Sequence, residues 1–143
     1  DALGAAPVFP FGGPPHHPFQ RWAQRAEPVA PSPLGLLVHP EHGLWHAYRG
    51  ALLFAERLVL PPRDEAPSPC DGCAGRPCLT ACPVGAFDGR GYDLEACAAR
   101  LRAVPAPCFD AACLARAACP VGREKAYGRA QAHFLMADFL AAR

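Results

Sequence analysis

Cys70-Asp71-Gly72-Cys73-Ala74-Gly75-Arg76-Pro77-Cys78-Leu79-Thr80-Ala81-Cys82-Pro83 is the stretch that decides how this chain is read. Its cysteines follow C-x2-C-x4-C-x3-C-P, and a second group, Cys97, Cys108, Cys113 and Cys119-Pro120, brings the total to eight. None of the 143 residues outside positions 70 to 119 is a cysteine. Cys82-Pro83-Val84-Gly85 recurs as Cys119-Pro120-Val121-Gly122, which predicts two cysteine-bearing halves related by an approximate twofold. A proline after each terminal cysteine biases that cysteine toward an extended backbone and removes an N–H, so the chain turns away at both places.

Thiolate sulfur is a soft donor suited to iron, and a 4Fe-4S cube offers four iron corners, so eight cysteines correspond to two sites of four. Three other uses of the thiols compete with that reading. A disulfide framework belongs to small secreted chains and sits badly with a cysteine-free segment of 69 residues that can bury its own core. Structural zinc sites usually show two C-x2-C knuckles, and only one is present. Eight unrelated core thiols in so short a stretch would be out of keeping with the sparse use of free cysteine. The sequence therefore predicts two 4Fe-4S clusters that pass single electrons to or from a redox partner protein, with a structural zinc-binding module as the alternative.

Composition bounds the rest. The net charge is +1, with about −1 before Cys70 and about +2 after it, so no basic patch argues for a nucleic acid. No apolar run approaches the length of a membrane span, and the expected location is cytoplasmic. The chain opens at Asp1 and runs straight into apparent structure, from which a preceding N-terminal portion is expected. Prolines concentrate before Cys70, and Leu60-Pro61-Pro62 with Pro67-Ser68-Pro69 mark a linker, giving an expected α+β domain over 1–66 and a cysteine domain over 67–143.

Local patterns fill in the elements. Asp1 to Ala6 reads as a helix tail, and Val8 to Pro15 as a short edge strand or extended loop with Phe9 and Phe11 on one side. A helix is expected from Pro18 to Glu27, stopped by Pro28, with Phe19, Trp22 and Ala23 on one face. Residues 34–56 read as a β-hairpin around Pro40-Glu41-His42-Gly43, since Gly50 argues against a helix from Leu44 to Leu58. Val84–Phe87, the Asp88-Gly89-Arg90-Gly91 turn and Tyr92 suggest a second, short hairpin. Asp93 is expected to cap a helix from Leu94 to Val104, and Asp110 one from Ala111 to Ala118. The tail from Arg123 to Ala142 is amphipathic, with Tyr127, Phe134, Leu135 and Leu140 on one face.

Two family resemblances follow from these residues. The first cysteine run is similar to the bacterial ferredoxin run C-x2-C-x2-C-x3-C-P, with a middle spacing two residues longer. His39-Pro40-Glu41-His42-Gly43-Leu44-Trp45, continuing through Ala47, Arg49-Gly50 and Leu60-Pro61-Pro62, resembles the hairpin of CblC-type cobalamin-processing proteins and the I-H-P-x-x-G-x-W segment of epoxyqueuosine reductases. In the latter, a flavin-reductase-like α+β domain precedes a two-cluster ferredoxin-like domain, the order seen here. The resemblance implies an α+β fold: a partial flavin-reductase-like hairpin region followed by a small, mostly helical cluster domain. It implies crossed ligation, with Cys70, Cys73, Cys78 and Cys119 holding one cluster and Cys82, Cys97, Cys108 and Cys113 the other. It also implies a corrinoid such as cobalamin, or a flavin, near His39, Gly43, Trp45 and Arg49, and hence an alternative role as the electron relay of a corrinoid-dependent reductase. No D-x-H-x2-G corrinoid motif is present.

Overall fold

A computed structural model describes residues 4–143. The chain mixes short helices with two small antiparallel sheets: β1 (Ala5–Val8), α1 (Phe19–Ala26), β2 (Ala30–Pro31), β3 (Leu37–Val38), β4 (Ala51–Phe54), α2 (Pro77–Thr80), α3 (Leu94–Ala103), α4 (Leu114–Ala117), a 3-10 turn at Arg123–Lys125, and α5 (Arg129–Ala141). No helix among the described residues is long and apolar enough to cross a membrane. The expected helix tail over 1–6 lies partly outside the described residues, and its end, Ala5-Ala6, is strand.

Helix α1 forms where the sequence placed it. Ala23 is buried, Phe19 and Trp22 pack with ring centroids 5.3 Å apart, and the chain turns extended at Glu27 ahead of Pro28. The linker is tied to its end, since Arg63 donates to the carbonyls of Gln24 (2.9 Å) and Glu27 (3.3 Å).

The expected hairpin over 34–56 is not how the strands pair. β3 folds back on β2, with Pro31 opposite Leu37, whereas β4 pairs with β1, with Ala5 opposite Phe54 and Val8 opposite Ala51. The Pro40–Gly43 turn closes one bridge only, His39 with Gly43, through reciprocal bonds of 2.8 and 2.9 Å. Pairing stops there because Leu44 directs its carbonyl to Arg116 instead of to a neighbouring strand, while Leu44 and Trp45 bury their side chains. A Cβ on Gly50 would lie 3.3 Å from the Val8 carbonyl oxygen, where the β1–β4 ribbon begins.

Around the cysteines, α3 matches expectation: Asp93 accepts from the Ala96 N–H at 2.9 Å, and the helix ends two residues before Pro105. The small hairpin reduces to one bridge, Phe87 with Tyr92. The helix expected from Ala111 is shorter, because Ala112 and Cys113 adopt left-handed φ of 50° and 85°, so it starts only at Leu114. Asp110 consequently caps nothing; its carboxylate instead meets Arg129 (2.9 Å) and His133 (2.8 Å) on α5. That helix begins at Arg129 rather than Arg123, and it buries Ala132 and Met136 while Phe134 lies exposed.

The core crosses the expected domain boundary. Leu34, Val38 and Leu44 pack with Ala86, Phe87 and Ala115, and Cys70, Cys78, Cys82, Cys97, Cys113 and Cys119 pack against them. Docking is closest at two glycines, both in left-handed backbone (φ +55° and +68°). A Cβ on Gly43 would lie 2.0 Å from the Val121 carbonyl oxygen, and one on Gly122 would lie 2.5 Å from the His42 carbonyl carbon. Gly43→Ala and Gly122→Ala should therefore each destabilise by about 3 kcal/mol or more, combining backbone strain with displacement. Gly35→Ala, also left-handed but facing open space, should cost about 1–2 kcal/mol. Denaturant unfolding of the three variants checks the difference.

Candidate metal centre

Cys70, Cys73 and Cys78 are arranged by a chain of tight turns. Ser68 accepts the Cys70 N–H on its hydroxyl (3.3 Å) and the Asp71 N–H on its carbonyl (3.0 Å), and the Cys73 N–H bonds back to the Cys70 carbonyl. Arg76, left-handed at φ 40°, then reverses the chain so that Pro77 opens α2 with Cys78 in its first turn. Cys119 arrives from beyond the far end of α4, its N–H bonded to the Arg116 carbonyl at 3.1 Å. These four thiols line one pocket, walled on its other side by Ser32, Pro33, Val38 and Leu44.

A second pocket is lined by Cys82, Cys97, Cys108 and Cys113, with Phe87, Leu101 and Met136 among its walls. Cys82 lies just past α2, where its sulfur accepts the Ala86 N–H at 3.4 Å. Cys97 projects from α3, and Cys113 precedes α4 with its N–H on the Cys108 carbonyl at 3.0 Å. The terminal cysteine of each sequence run thus stands with three cysteines of the other half. None of the eight is in a disulfide. Among the described residues, no three or more His, Cys, Asp or Glu side chains form a group that could hold a metal ion.

Electrostatics divides the thiols in the same way. Burial pushes the Cys70, Cys78, Cys97 and Cys113 thiols up. Beyond burial, Cys119 and Cys73 raise Cys70, and Cys119, Cys70 and Cys73 raise Cys78. Cys82 and Cys108 raise Cys97, while Cys97 and Cys108 raise Cys113. Four thiolates in one apolar pocket repel one another, and a cationic centre removes that penalty by coordinating all four. Soft donors, four to a cavity, with a backbone N–H aimed at one sulfur, fit a thiolate-ligated metal group.

The sequence repeat has a structural form that its four shared residues did not disclose. Each half has a four-residue helix, α2 or α4, that follows a left-handed non-glycine residue, Arg76 or Cys113. Each then reaches its Cys-Pro two residues after the helix and turns at a left-handed glycine, Gly85 or Gly122. In register, Cys78 of the first copy corresponds to fully buried Ala115 of the second.

The N-terminal candidates have other surroundings. His39 accepts the Glu41 and His42 N–H groups on Nδ1 (3.0 and 3.3 Å) and stacks on His42 with centroids 4.4 Å apart. Gly43 abuts Val121. Trp45 is buried beneath the Arg116 guanidinium, 4.8 Å from its ring centre, with the Tyr127 ring edge-on at 5.2 Å. Arg49 is exposed. His39, Gly43 and Trp45 therefore share one turn but take part in its packing. Sequence reasoning missed two contributors: the 32–44 segment that walls the first cavity, and Arg116, which joins Leu44, Trp45 and Tyr127. An apolar run from Leu34 to Val38 was the only signal for the former. No family model, curated protein or solved structure matches this chain.

The two-cavity grouping makes a specific prediction for metal content. Cys70→Ala and Cys119→Ala should each remove the metal of one site, and the double variant should remove no more than either alone. Combining Cys70→Ala with Cys113→Ala should empty both sites, as read by metal analysis of the purified variants.

Proposed function

We propose that this protein is a ferredoxin-like electron carrier with two 4Fe-4S clusters, one held by Cys70, Cys73, Cys78 and Cys119 and the other by Cys82, Cys97, Cys108 and Cys113. The observation that carries this reading is the separation of eight thiols into two cavities of four. A cavity with thiols around its wall suits a four-cornered cube, whereas one zinc ion draws its four sulfurs to about 2.3 Å of a single point. Each bound cluster supplies reversible uptake of one electron.

The chain's own residues fit that task. Coordination occupies the thiols, so they act as ligands rather than nucleophiles. Val38 and Leu44 give the first pocket an apolar wall, and Leu101 and Met136 give one to the second. Ala86, Phe87 and Ala115 belong to a core touched by cysteines of both groups, which supports exchange between the two sites across packed side chains. A redox partner protein would donate or accept the electrons.

Anaerobically purified protein should be brown, carry about eight irons per chain, and take up one electron per cluster reversibly within about −700 to +450 mV. Stoichiometric zinc without visible absorption, or fewer than about six irons, would overturn the proposal.

A further inference from the structure

Each thiol pocket has one charged side chain among its walls, and in both it is an arginine: Arg76 in the first and Arg100 in the second. The Arg100 guanidinium is engaged elsewhere. It donates to the Val104 carbonyl just past the end of α3, much as Arg63 and Arg123 bind carbonyls at the ends of α1 and α4. Arg76 is exposed and makes no such bond among the described residues. Its backbone is left-handed, φ 40° and ψ 63°, between Gly75, also left-handed, and Pro77. Reversal of the chain accounts for the conformation but not for the side chain, since glycine adopts it without steric cost and a residue with a Cβ is strained there. A strained arginine with a free guanidinium, on the wall of a pocket of four thiols, points to a task for its charge. Burial pushes the Cys70 thiol up and Cys119 and Cys73 add to the rise, whereas Arg76 acts in the opposite sense.

Resting on the two-cluster reading, we infer that Arg76 raises the reduction potential of the cluster at Cys70, Cys73, Cys78 and Cys119 by holding a permanent positive charge beside it. Reduction adds one electron to a cluster ligated by four thiolates, and a neighbouring cation favours the more negative state. Arginine is charged at every accessible pH, so no proton is taken up at Arg76 with the electron. Because the guanidinium is exposed, dissolved salt screens its effect.

Arg76→Gln removes the charge and keeps a polar side chain, whereas Arg76→Lys keeps the charge. In an anaerobic redox titration of the cluster-loaded full chain, followed by electron paramagnetic resonance, one of the two couples should fall in Arg76→Gln. The expected size is roughly threefold in its reduction equilibrium, about 28 mV for one electron, the scale of an exposed charge pair. The other couple and the iron content should be unchanged, Arg76→Lys should titrate as the wild type, and the shift should shrink in about 1 M salt. Arg76→Gly, which also relieves the backbone, should lower the same couple with its iron retained. If neither couple moves in Arg76→Gln, if Arg76→Lys falls by as much, or if the shift is undiminished at high salt, the charge is not the determinant and the inference fails. A wild-type chain without two reducible clusters would instead overturn the underlying function, so the two failures are distinguishable.

Discussion

The crossed arrangement of the terminal cysteines is the constraint on which the rest of the architecture depends. Cys119 lies with Cys70, Cys73 and Cys78, and Cys82 with Cys97, Cys108 and Cys113, so neither pocket of four thiols is built from one half alone. The regular elements are too slight to dictate this. Helices α2 and α4 have four residues each, and both sheets are two-stranded. Isolated helices of that length and lone two-stranded ribbons are marginal at best in water. Tertiary closure has to hold them, and under the proposed function ligation of four thiols at each site supplies it. Binding free energy then becomes folding free energy, as in other small metallodomains.

The N-terminal part of the chain is bound into the same closure. Backbone meets backbone at Gly43 and Gly122, the glycine that ends the second repeat two residues beyond Pro120. Beside this contact, Arg116 of α4 donates to the Leu44 carbonyl and the Tyr127 hydroxyl and lies over the Trp45 ring. A cation over an indole contributes about 0.5–2 kcal/mol, and a charged donor to a buried carbonyl adds to it. The consequence is a wall: Val38 and Leu44 face the first thiol cavity from a segment that the proline linker had seemed to set apart.

What the sequence disclosed was chiefly what local chemistry determines. Pro28 stops α1 and Asp93 caps α3, each within a few residues of its cause. The strand pairings were not legible, because two- and four-residue strands carry too little alternation to specify a register, and β1 finds its partner in β4, past α1 and the other sheet. His39, Gly43 and Trp45 stood out for a related reason. A turn packed against distant backbone and a buried indole leave the same marks in a sequence as a binding loop does, and the packing against Val121, Arg116 and Tyr127 was not legible there.

The strained residues were the least legible of all. Arg76, Ala112 and Cys113 are non-glycine residues in left-handed backbone, a conformation that costs roughly 1–2 kcal/mol for each. Nothing in their side chains asks for it, and the Asp110 cap looked natural only because the sequence gives no sign that Ala112 and Cys113 leave the helical region. Their positions supply the reason. Arg76 stands between Cys73 and Cys78, and Ala112-Cys113 immediately precede α4, so each reversal re-aims the chain where a thiol must face inward while the helix after it packs against its counterpart. Strain of this kind persists only where the surroundings over-determine the conformation. With α2 and α4 packed together and a pocket lined by four thiols on either side of the shared core, both reversals are held from several directions.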